Sequence, residues 1–330
     1  MKERELNMDS KALEKVSEIG ILPVIAVPSP EAAVPLADAL CTGGVPAIEV
    51  TYRNPWALDA VRAIRAAHPE MAIGVGTVLT EGQVPEAKAA GADFLVSPGF
   101  DPDIVRASLA AGMPIVPGVV NPSQVTAAVK MGLKTLKFFP AEQSGGIAAL
   151  TLLHGPFPDV KFVPTGGLTL GNIGAYLDKP FVVACGGSYM AKTADIVAGN
   201  WAKITETCRA CMDISLGFAL AHVGINHADA DSALTTTAAL AKLFRLPIRD
   251  GNSSAFAGTA VESMKQPFYG EKGHIGFAVR SVERALAWYK AQGVAVREES
   301  IRRMADGSRL QSFYLADEIA GFAVHVVKKA

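Results

Sequence analysis

The chain has 330 residues, of which 50% are hydrophobic and 19% charged, so it is long and apolar enough for two ordinary domains, each with its own core. A formal net charge of -1 argues against a basic surface for nucleic acid. No apolar run has the length of a membrane span, and the first twenty residues are charged rather than like those of a signal peptide. Four cysteines in a chain of this length do not make a disulfide framework. We therefore expect a cytoplasmic protein.

The first two-thirds of the chain alternates short β-prone runs with Ala-rich helical runs, after an amphipathic helix predicted over residues 5–20. Strands are predicted at Leu22–Val27, Ala47–Tyr52, Ala72–Thr77, Asp93–Ser97, Pro114–Val119, Leu133–Phe139, Lys161–Pro164 and Phe181–Cys185. Helices are predicted between them at Glu31–Cys41, Pro55–Ala67, Gln83–Ala90, Pro102–Ala111, Ser123–Met131, Ile147–Leu153 and Leu170–Leu177. Eight strands in alternation with helices predict an α/β fold, a closed (β/α)8 TIM barrel. The alternative is an open doubly wound sheet. Such a sheet usually has fewer strands, and no dinucleotide-binding fingerprint follows the first predicted strand of this chain.

One lysine stands out in the sixth predicted strand. Side chains alternate across a strand, so Lys137 lies in mid-strand on the same face as Thr135 and Phe139. An ammonium ion is costly to bury there, so the lysine is either paired with an acid or held uncharged as a nucleophile that forms a Schiff base with a carbonyl group. The alternative is an ordinary lysine whose amine reaches solvent.

Polar residues and glycines collect where the predicted strands end, which is where barrel enzymes place their functional groups. Glu49 and Arg53 alternate on one face of the second strand, and Thr77 ends the third. Glu49 is placed to move protons for Lys137, and Arg53 suits a substrate carboxylate, with a hydroxyl donor from Thr77. The alternative for Glu49 and Arg53 is a buried ion pair.

Two glycine pairs follow the seventh and eighth predicted strands. They are Gly166-Gly167 and Gly186-Gly187, the second followed by Ser188. In a barrel, these two loops often hold a phosphate with backbone N–H groups, and glycine permits the close approach. Tight turns without a ligand are the alternative. Lysine, carboxylate, arginine and glycine loops together predict carbon–carbon bond chemistry on a keto acid, without a metal.

Residues 1 to about 212 resemble the class I, Schiff-base 2-keto-3-deoxy-6-phosphogluconate and 2-keto-4-hydroxyglutarate aldolase family. The matching segments are Ile48–Arg53, Gly74–Leu79, Ser97–Gly99, Leu136–Glu142, Pro164–Gly167 and Gly186–Ser188. The resemblance implies that Lys137 is the Schiff-base lysine and that Glu49 is the general acid/base. It implies that Arg53 and Thr77 bind the pyruvate moiety and that Pro98 and Phe139 line the pocket. The implied phosphate ligands are Gly166, Gly167 and Ser188.

The same resemblance implies the reaction. A member cleaves 2-keto-3-deoxy-6-phosphogluconate to pyruvate and glyceraldehyde 3-phosphate, or 4-hydroxy-2-oxoglutarate to pyruvate and glyoxylate, without a cofactor. Members are typically trimers, so we expect a homo-oligomer. Asn54-Pro55 follows Arg53 where enzymes dedicated to the phosphorylated substrate carry a small hydroxyl residue, so both aldehyde products stay open.

The composition shifts after Cys211, and we predict a barrel domain over residues 1–212 and a second domain over 213–330. In the second, a strand that starts near Leu216 and an Ala-rich helix to Phe244 are followed by short β runs around Ser253–Phe256 and Thr259–Met264. The same order then repeats, with predicted elements at Gly273–Val279, a helix at Val282–Ala291, and strands near Val294–Val296, Leu310–Leu315 and Gly321–Val327. This predicts an α+β domain of two βαβββ units. It resembles the vicinal-oxygen-chelate superfamily, which includes glyoxalase I and extradiol dioxygenases.

That second resemblance implies a divalent metal held on the first and last strands of each unit. The candidate ligands are His222, Glu262 and His274, and His325 stands where a fourth ligand, usually Glu, is expected. These donors suit Zn, Ni, Mn or Fe(II). Two alternatives stay open beside the aldolase: metal-dependent lyase or dioxygenase activity in this domain, or a metal-free module for assembly or sensing.

Overall fold

The computed structural model of the chain describes residues 10–329 and divides into two compact units between Ser215 and Leu216, close to the predicted boundary after residue 212. The predicted first helix is helix α1, Lys11–Ile19, which ends at Gly20 in the left-handed conformation. Residues 5–9 of that prediction lie outside the described range.

Within residues 10–215, eight parallel strands form the sheet of the first unit. They are β1 Ile21–Ile25, β2 Ala47–Thr51, β3 Ala72–Gly76, β4 Phe94–Ser97, β5 Ile115–Val119, β6 Thr135–Phe138, β7 Lys161–Pro164 and β8 Cys185–Gly187. The spatial order is β7-β6-β5-β4-β3-β2-β1-β8, and isolated bridges from Phe162 to Val182 and from Thr165 to Gly186 join the two ends. The predicted (β/α)8 barrel is confirmed.

Helices follow the strands, as the repeated pattern predicts. They are α2 Ala33–Thr42, α3 Ala57–Ala67, α4 Gln83–Ala89, α5 Pro102–Ala110, α6 Pro122–Lys130, α7 Gly146–His154, α8 Ile173–Leu177, α9 Thr193–Val197 and α10 Trp201–Leu216. Capping fixes several starts: the Asp101 carboxylate accepts hydrogen bonds from the N–H groups of Asp103 and Ile104 at α5. Among residues 10–329, the structure contains no helix that is long and apolar enough to cross a lipid bilayer.

The eighth strand differs from its prediction. The apolar run of residues 181–185 predicted a strand there, and all of it is buried except Val183, which is half-buried. Phe181, however, lies in a turn, and Val182 contacts β7 through one isolated bridge. Continuous pairing with β1 starts only at Cys185. An apolar run shows that a segment is buried, whereas the neighbouring strand decides which of its residues form the ladder.

Between residues 216 and 329, the second unit contains one mixed sheet and two helices. They are β9 Ala219–Asn226, α11 Ala230–Phe244, β10 Ile248–Asp250, β11 Ser254–Ala257, β12 Val261–Met264, β13 Gly273–Val279, α12 Val282–Ala291, β14 Val296–Arg303, β15 Leu310–Ile319 and β16 Phe322–Lys328. The element order is βαβββ twice, as predicted, and the sheet order is β10-β11-β12-β9-β13-β16-β15-β14. The predicted order requires three strands after α11, but only two β runs were located there; the exposed strand β10 was not, because its three residues carry no apolar alternation. The first strand of each unit lies at the centre, side by side.

Candidate active site

A buried lysine–glutamate pair joins opposite sides of the barrel. The Nζ of Lys137 on β6 lies 3.0 Å from Oε1 and 3.3 Å from Oε2 of Glu49 on β2. The two side chains are only 7% and 2% exposed. Because an isolated buried charge is costly, each group is kept in the interior by the other. The structure therefore pairs the lysine with the carboxylate that the sequence analysis selected for proton transfer.

The pair has apolar neighbours on several sides. Leu13 and Val16 of α1 and Leu22 of β1 line a small cavity together with the two charged side chains. The ring of Phe139 has its centroid 5.4 Å from the Lys137 Nζ. In surroundings of low polarity, the interaction between the amine and the carboxylate is stronger than in water.

Glycine at position 76 makes room for the Glu49 carboxylate. A Cβ built on Gly76 would lie 2.1 Å from Oε1 of Glu49 and 2.7 Å from its Cδ. The space next to β3 is therefore occupied by the acid itself, which fixes its position against Lys137.

Arg53 and Thr77 stand together at the carboxyl ends of β2 and β3. The Nε of Arg53 donates a hydrogen bond of 3.2 Å to the Thr77 hydroxyl oxygen. Thr77 has φ of +61°, a left-handed conformation that is rare for a β-branched residue and that occurs preferentially at functional sites. The arginine is exposed, so its guanidinium is accessible to an anion from solvent.

The loops after β7 and β8 are adjacent, since Thr165 bridges to Gly186. Gly166 and Gly167 have φ of +102° and +76°, which glycine adopts without strain. A Cβ on Gly167 would lie 2.6 Å from the Glu142 Cβ, so this position also needs glycine for steric reasons.

The remaining predicted residues also follow strands of the barrel. Pro98 after β4 and Phe139 after β6 are half-buried, and Ser188 after β8 is exposed. The structure thus brings Lys137 into contact with Glu49 and places all other predicted barrel residues at the same ends of the strands. Their roles toward a substrate stay predictions.

A (β/α)8 barrel with a buried lysine–carboxylate pair and glycine loops after the last two strands defines the class of lysine-dependent aldolases. The family model for KDPG and KHG aldolase matches residues 13–207, which is more than half of the chain. The chain therefore belongs to the KDPG and KHG aldolase family.

Individual relatives agree with the family match. A 2-dehydro-3-deoxy-phosphogluconate aldolase of Haemophilus influenzae is 44% identical over 202 residues, which are 61% of this chain and 95% of the relative. The KHG/KDPG aldolase of Escherichia coli is 41% identical and covers 58% of this chain and 91% of the relative. The structure of KDPG aldolase from Legionella pneumophila, with pyruvate captured as a covalent carbinolamine, has a TM-score of 0.59 and 39% identity and covers 61% of this chain and 98% of that chain.

A second cluster of chemically reactive groups lies in the second unit. The Nε2 atoms of His222 and His274 are 3.1 Å apart, and Oε2 of Glu262 lies 3.5 and 3.2 Å from them. His325 joins the two histidines, with ligand atoms of all three within 4.8 Å of one another. His222, Glu262 and His274 are the three ligands predicted from the sequence, and His325 stands at the expected fourth position. In the structure, Glu262 contacts His222 and His274, and His325 lies beside both of these histidines.

The donor set fits a divalent metal. Burial lowers the pKa of His325 to about 3, and burial also lowers the pKa of His222. Burial alone would raise the pKa of Glu262, but hydrogen bonds from His274 and Ser254 outweigh it and the pKa is lowered. Two imidazoles are therefore favoured as neutral and the carboxyl group as ionised, which are the forms that bind metals. The Nδ1 of His325 is buried with no hydrogen-bond partner among the residues that the structure describes.

Two glycines shape the cluster, one from each βαβββ unit. A Cβ on Gly224 of β9 would lie 2.1 Å from Cε1 of His274, and a Cβ on Gly276 of β13 would lie 2.5 Å from Cε1 of His222. Each central strand therefore leaves room for the imidazole of the other.

Several residues of both sites were missed from the sequence. Gly76, Gly224 and Gly276 act by leaving space, and a glycine in a strand does not reveal what fills that space. One signal was available for the last two: His222-Val223-Gly224 and His274-Ile275-Gly276 repeat the same pattern in the two units.

Proposed function

We propose that the barrel is a Schiff-base aldolase that releases pyruvate from 2-keto-3-deoxy-6-phosphogluconate, from 4-hydroxy-2-oxoglutarate, or from both. The other products are glyceraldehyde 3-phosphate and glyoxylate. The observation that carries this proposal is the contact of 3.0 Å between Lys137 and Glu49, buried at the centre of a barrel from this family. No cofactor enters the proposed reaction.

The geometry supports the following sequence of steps. The Lys137 amine attacks the C2 carbonyl, Glu49 transfers the protons, and water leaves to give a protonated imine. When the C4 hydroxyl loses its proton, the C3–C4 bond breaks, its electron pair moves toward the imine nitrogen, and the aldehyde departs. The resulting enamine takes a proton at C3, and water releases pyruvate and restores the amine.

Binding groups surround this centre in the proposal. Arg53, with its Nε held by Thr77, binds the substrate carboxylate. Pro98 and Phe139 line the pocket. The phosphate is bound by the loops after β7 and β8, at positions 166, 167 and 188, where two glycines permit close approach of the backbone.

Trapping tests the proposal directly. The protein is incubated with pyruvate and sodium borohydride, and the modified peptide is identified by mass spectrometry. We expect a reduced adduct on Lys137 and none in Lys137→Met, while the exposed Lys134→Met control keeps the adduct. If the folded wild-type protein gives no adduct on Lys137, the aldolase mechanism is wrong.

One further proposal follows from family membership. We propose a homotrimer or a multiple of it, which light scattering coupled to size-exclusion chromatography measures as a molar mass. A dilution series that gives only the mass of one chain would contradict it.

A cytoplasmic location stays a prediction from the sequence.

We also propose that the second unit is a vicinal-oxygen-chelate domain with a divalent metal held by His222, Glu262, His274 and His325. This proposal is supported by the convergence of four donor groups from two repeated βαβββ units, and by the two glycines beside the imidazoles. Such a metal, when bound, acts as a Lewis acid toward ligand oxygen atoms. The four side chains would hold the ion in place.

Metal analysis tests this second proposal. After exposure to Zn²⁺, Mn²⁺, Ni²⁺ or Fe²⁺ and gel filtration, we expect about one retained ion per chain for at least one of them. We expect its loss in His274→Ala and its retention in His227→Ala, a matched control that is not one of the four ligands. Retention by His274→Ala, or no retention by the wild type, contradicts the metal centre. Aldol cleavage is expected to continue in a chelator.

A further inference from the structure

Two matched rows of residues cross the sheet of the second unit and meet at the metal cluster. The first row, on β10, β11, β12, β9 and β13, is Arg249, Phe256, Glu262, Gly224 and His274. The second row, on β14, β15, β16, β13 and β9, is Arg297, Tyr314, His325, Gly276 and His222. Residues directly opposite in neighbouring strands point to the same face of the sheet. Each row therefore has the same order: arginine, aromatic ring, metal ligand, glycine, histidine.

At the outer end of the first row, the arginine contacts the aromatic ring, and this ring lies next to the metal cluster. The Cζ of Arg249 lies 4.6 Å from the ring centroid of Phe256, and that centroid lies 6.0 Å from the His222 ring. One aromatic ring thus separates the guanidinium from the cluster.

The second row has the same layout, with one additional ring. Tyr314 stacks on His325 with centroids 4.2 Å apart and planes at 1°. The ring of Tyr269, from the loop after β12, contacts the Tyr314 ring with centroids 5.0 Å apart. The Cζ of Arg297 lies 4.7 Å from the Tyr269 centroid. Both sides of the cluster are therefore apolar and aromatic near the metal ligands and cationic farther out.

The two arginines differ in how much of their hydrogen-bonding capacity is already used. Arg297 donates to the carbonyl oxygens of Leu315 and Ala316, and it lies 3.8 Å from the Glu318 carboxylate. Arg249 is exposed on the edge strand, and its guanidinium, which lies over the Phe256 ring, has no hydrogen bond or ion pair with residues 10–329. Arg249 is therefore the guanidinium available to a ligand, and Arg297 is held by the protein.

The charge at the cluster favours an anion. A divalent cation bound by neutral imidazoles and the single Glu262 carboxylate leaves one positive charge uncompensated, and Arg249 adds another. An arginine guanidinium binds a carboxylate or a phosphate through paired hydrogen bonds.

We propose that the second unit binds an elongated organic anion, with oxygen atoms at one end directed to the metal centre, its middle over Phe256, and a carboxylate or phosphate at the far end bound by Arg249. This inference rests on the proposed metal centre and specifies the ligand class of that site. Arg249 is the residue that selects for the far charge.

The test compares a matched pair of ligands on the full chain loaded with Co²⁺. The first is 2-hydroxyglutarate, which has a carboxylate and adjacent hydroxyl at one end and a second carboxylate at the other. The second is 2-hydroxyglutaramate, in which the far carboxylate is a neutral amide. Neither has a ketone, so neither forms an imine with Lys137. Affinities are measured from the visible spectrum of the bound Co²⁺.

We expect the wild type to bind the diacid at least about tenfold more tightly than the amide, because a hydrogen bond to a charged group is involved. We expect Arg249→Gln to remove this preference and leave the affinities for the amide and for Co²⁺ within about twofold. Arg303→Gln, which removes an exposed charge of β14, is the control and is expected to keep the preference.

The outcomes separate the two proposals. Wild-type protein that binds neither Co²⁺ nor any of the four ions named above contradicts the metal centre and this inference together. Bound Co²⁺ with no spectral response to either ligand, with equal affinities for both, or with an unchanged preference in Arg249→Gln contradicts the anion site alone.

Discussion

Replacing Gly76 with alanine tests whether the position of Glu49 controls catalysis. The new Cβ would lie 2.1 Å from Oε1 of Glu49, whereas ordinary contacts begin near 3.4 Å. The carboxylate must therefore move by about 1 Å or more, away from its present distance of 3.0 Å to the Lys137 amine. Gly76 does not have positive φ, so alanine brings no backbone strain of that kind.

The size of the effect follows from the role of the displaced group. A positioned general acid or base contributes about 10²–10⁴-fold to rate, and a shift of about 1 Å can remove about 10²-fold. We therefore expect kcat/KM of Gly76→Ala to fall by about 10²–10⁴-fold. Overpacking of this kind also lowers the free energy of unfolding by about 1–3 kcal/mol.

The assay is release of pyruvate from 2-keto-3-deoxy-6-phosphogluconate, coupled to oxidation of NADH by lactate dehydrogenase. The control is Gly82→Ala, because a Cβ at that position meets no atom within 4 Å. A double-mutant cycle with Glu49→Gln identifies the route, since Gly76→Ala should cost little more once the carboxylate is absent. If Gly76→Ala keeps more than a tenth of the wild-type kcat/KM in folded protein, the reasoning about Glu49 is refuted.

Three other predictions concern the phosphate loop, a helix cap and the metal cluster. Gly167→Ala places a Cβ 2.6 Å from the Glu142 Cβ at a position with positive φ, so the loop must shift. In steady-state kinetics we expect KM for the phosphorylated substrate to rise about tenfold and KM for 4-hydroxy-2-oxoglutarate to stay within about twofold. Equal changes in the two KM values would contradict a phosphate role. Asp101→Ala removes the acceptor for two N–H groups at α5 and should lower the free energy of unfolding by about 1 kcal/mol in urea titrations, and an unchanged midpoint would count against the cap. Gly224→Ala places a Cβ 2.1 Å from Cε1 of His274 and so displaces this imidazole. In calorimetric titrations we expect the affinity for Co²⁺ to fall at least about tenfold, whereas aldol cleavage is kept. An unchanged affinity would contradict the close fit of the ring.

The fold was accessible from the sequence because both units are built from repeated local patterns. Eight β-prone runs separated by amphipathic helical runs predict a parallel barrel, and β7 lies at Lys161–Pro164 as predicted. Helix α12 also has its predicted bounds, Val282–Ala291. Its sequence carries both signals that fix a helix: a serine N-cap that accepts from the N–H of Arg284, and an apolar face.

Local patterns did not specify strand pairing at every position. The last barrel strand pairs with β1 only from Cys185 onward, and β10 forms because Ile248–Asp250 meets β11 across a tight turn. Hydrogen bonds of a sheet are made with a partner strand, so the residues that form them depend on the neighbour as well as on the strand.

The sequence by itself identified the candidate residues: a lysine in mid-strand, a carboxylate on an inward face, and histidines repeated in two similar units. The tertiary structure alone decided which of them touch. Lys137 and Glu49 are 88 residues apart along the chain, and closure of the barrel brings their side chains within 3.0 Å. The repeated units place His222 and His274 on adjacent central strands. The reason is that alternation along one strand fixes the direction of a side chain, whereas distance across a sheet is fixed only when strands pair.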